Sequence, residues 1–146
     1  SGIYGNVGQT NYGAAKAGIA SFTIIAAKEL GRYGVTVNCI APAALTRLTE
    51  NLGMGQAPEE IKEQMSPAHI APVVCWLASP DAGHVTGRVF DVSGRKLSVS
   101  EGWHRGPTID FPTDDVADLG PQISDIVAKA RPNADMNGFD EKPAKA

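Results

Sequence analysis

The run Val-Thr-Val-Asn-Cys-Ile at residues 35–40 constrains the fold more than any other feature. It is apolar almost throughout instead of alternating, which is typical of a parallel strand buried on both faces. A helix is predicted directly before it, at 9–33, because alanines and larger apolar residues recur there at helical spacing and Gly31 and Gly34 are candidates for its end. A long helix feeding a buried strand predicts an α/β protein.

The rest of the chain continues this pattern. A short helix opened by Pro58 is predicted to run to residue 65, and a second is predicted at 67–77, where one face is apolar. A strand is predicted at 87–94, between two glycines. The order helix, strand, helix, helix, strand is that of the tail of an α/β protein with parallel strands.

Beyond residue 97 the pattern weakens. A modest helix is predicted at 121–130, and residues 133–146 are polar and almost free of apolar side chains, so we expect them to be disordered.

Composition excludes several functional classes. Thirteen Lys and Arg against sixteen Asp and Glu give a formal charge of −3, which argues against a nucleic-acid or anionic-membrane partner. No apolar stretch reaches the roughly 18 residues of a membrane span. Cys39 and Cys75 lie in apolar runs and are predicted to be buried thiols in a reducing compartment, hence a cytoplasmic location. The histidines lack metal-ligand spacing, so no metal is expected.

Tyr12 and Lys16 are the candidate catalytic pair. Their spacing puts them on one face of the predicted long helix, one turn apart. An ammonium group near a phenol favours the phenolate, so such a tyrosine can exchange a proton with an alcohol or carbonyl oxygen. The pattern alone is weak, since Tyr-x-x-x-Lys also occurs by chance on amphipathic helices with an exposed lysine.

The surrounding residues strengthen that interpretation. The stretch GNVGQTNYGAAKAG at 5–18 closely resembles the active-site helix of short-chain dehydrogenases/reductases. In that family the next strand ends in an Asn-x-x-x-Pro-Gly turn, and here Asn38 to Ala43 matches it except that Ala43 replaces the glycine. The resemblance covers about residues 1–94. It implies the C-terminal part of a doubly wound, Rossmann-like parallel sheet whose N-terminal βαβ units are missing.

By resemblance, we expect a C-terminal half of a dehydrogenase domain at 1–99, an extension with a short helix at 100–132, and the polar tail at 133–146. Tyr12 is then the proton donor and acceptor, and Lys16 holds the nicotinamide ribose. The cofactor is expected to be NAD, with NADP open, and its binding residues to be Tyr12, Lys16, Pro42, Ala43, Leu45 and Thr46. Residues 48–65 are expected to form a substrate lid.

Four segments resemble one branch of the family, the (3R)-hydroxyacyl-CoA dehydrogenases of the peroxisomal multifunctional enzyme and its bacterial relatives. They are SGIYGNVGQTNY, IAPAALTRLTE, PAHIAPVVCWLAS and GRVFDVSGRKLSVSEGW. The resemblance implies oxidation of a (3R)-hydroxyacyl thioester of lipid or steroid side-chain metabolism, in a homo-oligomer when full length. A 3-oxoacyl-carrier-protein reductase is the enzymatic alternative.

Two family features are not among these 146 residues. The catalytic serine stands thirteen residues before the family's tyrosine, so Ser1, eleven before Tyr12, is interpreted as the second serine of a Ser-x-Ser-Gly stretch. The Gly-rich pyrophosphate loop, with the residue that separates NAD from NADP, is also outside the sequence. We therefore expect this chain alone to bind dinucleotide weakly and to lack turnover, and a non-catalytic remnant or interaction module stays open.

Overall fold

A computed structural model describes residues 1–46, 56–110 and 115–140. The predicted long helix is present as α1, Thr10–Leu30. A single 3-10 turn, Gly31–Tyr33, extends it, and Gly34 then reverses the chain with φ of 74°, a conformation that favours glycine. The glycines after Leu30 therefore end the helix as the sequence indicated.

Three strands form one mixed sheet in the order β1, β2, β3. Strand β1, Cys39–Ala43, pairs in parallel with β2, Val89–Ser93. Strand β3, Lys96–Ser100, returns antiparallel beside β2 through a tight turn at Gly94 and Arg95. The sequence analysis placed no strand after residue 94. Polar and apolar residues nevertheless alternate along β3, as they do in a strand with two unlike faces.

The first strand begins later than predicted. Residues 35–38 were expected in the strand at 35–40, but the ladder starts at Cys39. Before that point side-chain bonds accompany a backbone bond. The Gly87 amide donates to the Val37 carbonyl over 2.7 Å, the Val37 amide donates to the Thr86 hydroxyl over 3.0 Å, and the Asn38 side-chain amide donates to the Val85 carbonyl over 2.9 Å. The segment is therefore extended and tied to residues 85–88 without being regular sheet.

Short helices connect β1 to β2. Helix α2 is Glu59–Gln64, and α3 is Ala71–Leu77. The helix predicted at 67–77 is divided, because Pro67–His69 is a 3-10 turn capped by the Ser66 hydroxyl, which accepts from the Ala68 amide. Another 3-10 turn, Pro80–Ala82, precedes β2.

The C-terminal helix begins earlier than predicted. Helix α4 is Val116–Lys129, with Pro121 inside it instead of at its start. Asp115 caps it, since its carboxylate accepts from the Ala117 amide over 2.9 Å. Within the tail expected to be disordered, residues 134–140 form a turn closed by a bridge between Ala134 and Asp140; residues 141–146 lie outside the described part.

The buried apolar core is small. Its members are Ala26, Ala27, Ala82, Val89 and Val92, so it lies between α1 and the sheet. The chain exposes 11456 Å², whereas a compact monomer of this mass exposes about 7,100 Å². Much apolar surface of α1 and α4 is accordingly uncovered by the described residues.

Two predictions of burial were wrong. Cys75 is exposed and Cys39 is only half-buried. Trp76, the next residue along, is 46% exposed as well. Both Cys75 and Trp76 belong to α3, a helix of two turns with too little surface to bury side chains on every face.

Candidate active site

The loop at 1–8 lies against the start of α1. Gly5 and Gly8 have φ of 87° and 81°, and the Gly5 amide donates to the Ser1 carbonyl over 3.1 Å. Gly2 has no room for a side chain, because a Cβ there would collide with Cβ of Lys16. The glycines therefore let this loop bend and pack directly over the helix turn that carries Lys16.

Tyr12 and Lys16 are neighbours on the first two turns of α1. The Lys16 ammonium nitrogen lies 5.4 Å from the centre of the Tyr12 ring, within reach of a cation-π contact. Tyr12 is 52% exposed and Lys16 is exposed too. No ion pair engages Lys16 among the parts of the chain that the structure describes. A phenol and an ammonium group therefore share an accessible surface.

The other predicted cofactor residues follow β1. Pro42 and Ala43 end the strand opposite Val92 and Ser93, at the carboxyl edge of the parallel pair. The Leu45 amide donates to the Met65 carbonyl over 2.8 Å, which joins the segment after β1 to the end of α2. Thr46 is exposed. In open α/β sheets this carboxyl edge is where ligands bind.

Part of the predicted lid is outside the description. Residues 47–55 are not described, whereas α2 lies within the expected lid at 48–65. Gly94 approaches α2 so closely that a Cβ there would collide with the Gln64 carbonyl oxygen. The turn between β2 and β3 therefore packs on the end of α2.

Asn38 holds the base of β1 through both ends of its side chain. Its amide nitrogen donates to the Val85 carbonyl over 2.9 Å, and its oxygen accepts from the Arg88 amide over 3.1 Å. From the sequence, Asn38 was predicted only as part of a strand and of the turn motif that follows it. Its position just before the strand, with a side chain that donates and accepts, was the available signal for this role.

Tyr4 connects the loop at 1–8 to the end of β3 and to the turn at 134–140. Its hydroxyl lies 3.0 Å from the Ser100 hydroxyl at the end of β3. Gly138, with φ of 86°, meets the ring, since a Cβ there would stand 2.9 Å from Cζ of Tyr4. The sequence analysis did not single out Tyr4, because both partners are distant along the chain.

The described residues contain neither a candidate metal site nor a candidate membrane span. No group of three or more His, Cys, Asp or Glu side chains is placed to hold a metal ion in 1–46, 56–110 or 115–140. No helix in those ranges is long and apolar enough to cross a membrane.

Comparison with known proteins gives the family. The sequence profile of the family described as enoyl-(acyl carrier protein) reductase matches residues 1–94, which contain Tyr12, Lys16, β1 and β2 but not β3. The chain belongs to the short-chain dehydrogenase/reductase family. A solved short chain dehydrogenase from Mycobacterium avium superimposes with a TM-score of 0.76 at 47% identity, over 91% of this chain and 42% of that one. The expected α/β fold, as part of a Rossmann-like sheet, is thereby confirmed.

Curated relatives of this short-chain dehydrogenase/reductase chain act on acyl thioesters by name. Hydroxyacyl-CoA dehydrogenase ChsB1 of Mycobacterium tuberculosis is 39% identical over 96% of this chain and 45% of its own length. The mouse (3R)-3-hydroxyacyl-CoA dehydrogenase is 38% identical over 64% of this chain and 38% of its own length. The 3-oxoacyl-[acyl-carrier-protein] reductase FabG of Vibrio harveyi is 41% identical over 64% of this chain and 41% of its own length. The chain thus spans less than half the length of these relatives.

Proposed function

We propose that the protein is an NAD(P)-dependent oxidoreductase that transfers a hydride between the cofactor and the 3-hydroxy or 3-oxo group of an acyl thioester. The single observation that carries this proposal is the exposed Tyr12 and Lys16 pair, which lies under a glycine loop in a short-chain dehydrogenase/reductase chain. The names of the relatives support the substrate class, since they include hydroxyacyl-CoA and oxoacyl-carrier-protein enzymes.

The residues present fit one end of the cofactor. Lys16 offers an exposed ammonium donor for ribose hydroxyls, and Pro42 and Ala43 line the carboxyl edge where a flat ring can approach. Leu45 and Thr46 follow on the same segment. When bound, NAD or NADP supplies the hydride acceptor or donor. NAD is our choice, because the hydroxyacyl-CoA dehydrogenase branch that the sequence resembles uses it, and NADP is the alternative.

Tyr12 moves the proton in this scheme. During oxidation its phenolate oxygen accepts the proton of the substrate 3-hydroxyl as that carbon becomes a carbonyl; during reduction its hydroxyl returns the proton to the oxygen. Lys16 stabilises the phenolate through its positive charge. Gly2 and Gly13 keep the loop close to this face, since neither has room for a side chain without meeting Lys16 or the Ser1 carbonyl.

We favour a (3R)-hydroxyacyl-CoA substrate. The alignment with ChsB1 extends over 145 residues, whereas those with the mouse (3R)-3-hydroxyacyl-CoA dehydrogenase and the Vibrio harveyi reductase cover 104 and 99. Among these three relatives only ChsB1, a hydroxyacyl-CoA dehydrogenase by name, has a counterpart of the segment after β2. A 3-oxoacyl-carrier-protein substrate is the alternative. Because the 146 residues hold neither the pyrophosphate loop nor the family serine, we propose that they have no turnover alone.

The test is turnover of the full-length gene product with (3R)-hydroxyacyl-CoA and NAD. We expect Tyr12→Phe to lower kcat by about 10²-fold or more, since general acid–base catalysis contributes on this scale. Tyr33→Phe is the matched control, because Tyr33 is exposed and contacts Arg32 at the far end of α1. Equal turnover by Tyr12→Phe and the parent protein would refute the assignment.

A non-catalytic interaction module, which pairs through its exposed strand or helix with a full-length relative, is the second candidate. Phe22 on α1 is 67% exposed, and Ile19 and Ile25 beside it on the same helix are half-exposed. Exposed apolar patches of this kind mark protein interfaces. For the full-length protein we propose a homo-oligomer whose interface covers this face of α1. We also propose that the protein is located in the cytoplasm. Light scattering on the parent protein and on Phe22→Glu tests the homo-oligomer: a monomeric parent contradicts the proposal.

A further inference from the structure

We propose that a cleft beside α2 binds the amide-bearing pantetheine arm of the thioester substrate. The inference rests on the proposed function, which supplies the thioester. Two adjoining cavities of about 210 and 220 Å³ make up this cleft, and His69 and Arg95 line both of them. From the sequence, no role was predicted for His69 or Arg95, whereas α2 lies in the segment expected to form the substrate lid.

The cleft has an apolar and a polar chamber. Besides the two shared residues, the apolar chamber is lined by Pro72, Val73, Val92, Gly94, Lys96 and Leu97. The polar chamber is lined by Glu60, Glu63 and Gln64. A ligand that fills both chambers must therefore carry hydrocarbon at one part and hydrogen-bonding groups at another.

The polar chamber matches amides better than an anion. Glu60 and Glu63 supply carboxylate acceptors, Arg95 supplies only donors, and Gln64 supplies both. In this chamber the two carboxylates outnumber the one guanidinium and would repel a phosphate or a fatty-acid carboxylate, since Lys96 lines the other chamber. An amide needs one acceptor for its N–H and one donor for its carbonyl, and pantetheine has two amides flanked by methyl and methylene groups. This chemistry is common to coenzyme A and the prosthetic group of an acyl carrier protein.

The lining residues are held in place. Nε2 of His69 lies 3.0 Å from the Glu63 carbonyl oxygen, which joins the 3-10 turn to α2. Gly94 contacts the Gln64 backbone, which fixes the turn that carries Arg95. No ion pair to Arg95 is found among the described residues, so its guanidinium remains available for a ligand.

The location suits a substrate arm. Arg95 follows Ser93, which pairs with Ala43, so the cleft and the predicted nicotinamide residues are at the same carboxyl edge of the parallel strands. Leu45 is also joined to Met65 at the end of α2. A thioester whose C3 reaches the sheet edge can therefore extend its carrier arm between α2 and the β2–β3 turn.

Calorimetric titration of the full-length gene product with pantetheine tests the inference. We expect saturable binding, weakened about tenfold by Arg95→Met, because donors to the amide carbonyl are lost. Glu63→Ala, which changes an exposed acceptor without touching the sheet, is expected to weaken binding in the same direction. Arg32→Met is the matched control, since Arg32 lies beyond the C-terminal end of α1 and outside the cleft.

The outcomes separate this inference from the proposed function. Binding of pantetheine that is absent, or equal in the parent, Arg95→Met and Glu63→Ala, would overturn the cleft assignment even if Tyr12→Phe abolishes turnover. Arg95-dependent binding that persists in Tyr12→Phe supports the cleft whether or not turnover is found. Parallel titrations with coenzyme A and with a holo acyl carrier protein identify the carrier as the one with the lower dissociation constant.

Discussion

Replacing Asn38 tests how the sheet edge is held. Asn38→Ala removes two hydrogen bonds, of 2.9 and 3.1 Å, and leaves the Val85 carbonyl and the Arg88 amide without these partners. At about 1 kcal/mol for each bond, the free energy of unfolding should fall by about 2 kcal/mol. Thr86→Val removes one bond, from the Val37 amide, and should cost about half as much.

An aspartate at the same position adds a pH test. Asn38→Asp can still accept from the Arg88 amide, but its second oxygen faces the Val85 carbonyl oxygen. Two acceptors repel when the aspartate is charged, whereas the protonated acid can donate to that carbonyl. The pKa of the new carboxyl is therefore raised in the folded state. Below that raised value the folded state binds more protons than the unfolded state, so the stability lost at neutral pH should be regained as the pH falls toward about 4.

The assay is urea unfolding followed by tryptophan fluorescence and by circular dichroism. The difference between variant and parent is taken at each pH, which subtracts the effect of acid on the parent fold. Asn133→Asp is the control, because Asn133 is exposed and its replacement adds the same negative charge at another position of the chain. An Asn38→Ala variant within about 0.5 kcal/mol of the parent, or an Asn38→Asp variant with a pH-independent difference, would refute the argument.

Three further predictions concern turns and their contacts. Gly138→Ala should lower stability by about 1–2 kcal/mol in urea unfolding, because φ is 86° and the new Cβ would stand 2.9 Å from the Tyr4 ring; unchanged stability would show that the turn moves away without cost. Gly87→Ala should lower the free energy of unfolding by about the same amount in the same assay, since φ is 71° and the new Cβ would lie 3.3 Å from Cβ of Ala27 on α1. A stabilised variant would contradict this. Hydrogen bonding by the Phe139 amide lowers the pKa of the Asp135 carboxyl. The turn that this carboxylate supports should therefore persist above the lowered pKa and open only as the pH falls through it. An NMR titration of the Asp135 carboxyl carbon that gives an ordinary midpoint would contradict this.

Local patterns predicted most of the elements. Helical spacing and the flanking glycines located α1, and the interval from Tyr12 to Lys16 fixed their common face before any tertiary contact was known. The start of β1 was misplaced, because residues 35–38 satisfy a strand pattern while the Val37 amide donates to the Thr86 hydroxyl and the Asn38 side-chain amide donates to the Val85 carbonyl. No local signal reports which partner a backbone amide will find fifty residues away.

The cleft was beyond prediction for a related reason. Arg95 by itself is a residue in a tight turn, and its sequence neighbours do not distinguish a ligand-binding guanidinium from a solvated one. Its significance comes from the β2–β3 turn packing on α2, where Gly94 lacks the Cβ that would collide with the Gln64 carbonyl oxygen. A glycine that permits this approach therefore sets the distance between the arginine and the carboxylates of α2. Any side chain at position 94 should widen the cleft and weaken pantetheine binding even though Arg95 is intact, and unchanged binding in Gly94→Ala would show that the two chambers do not act together.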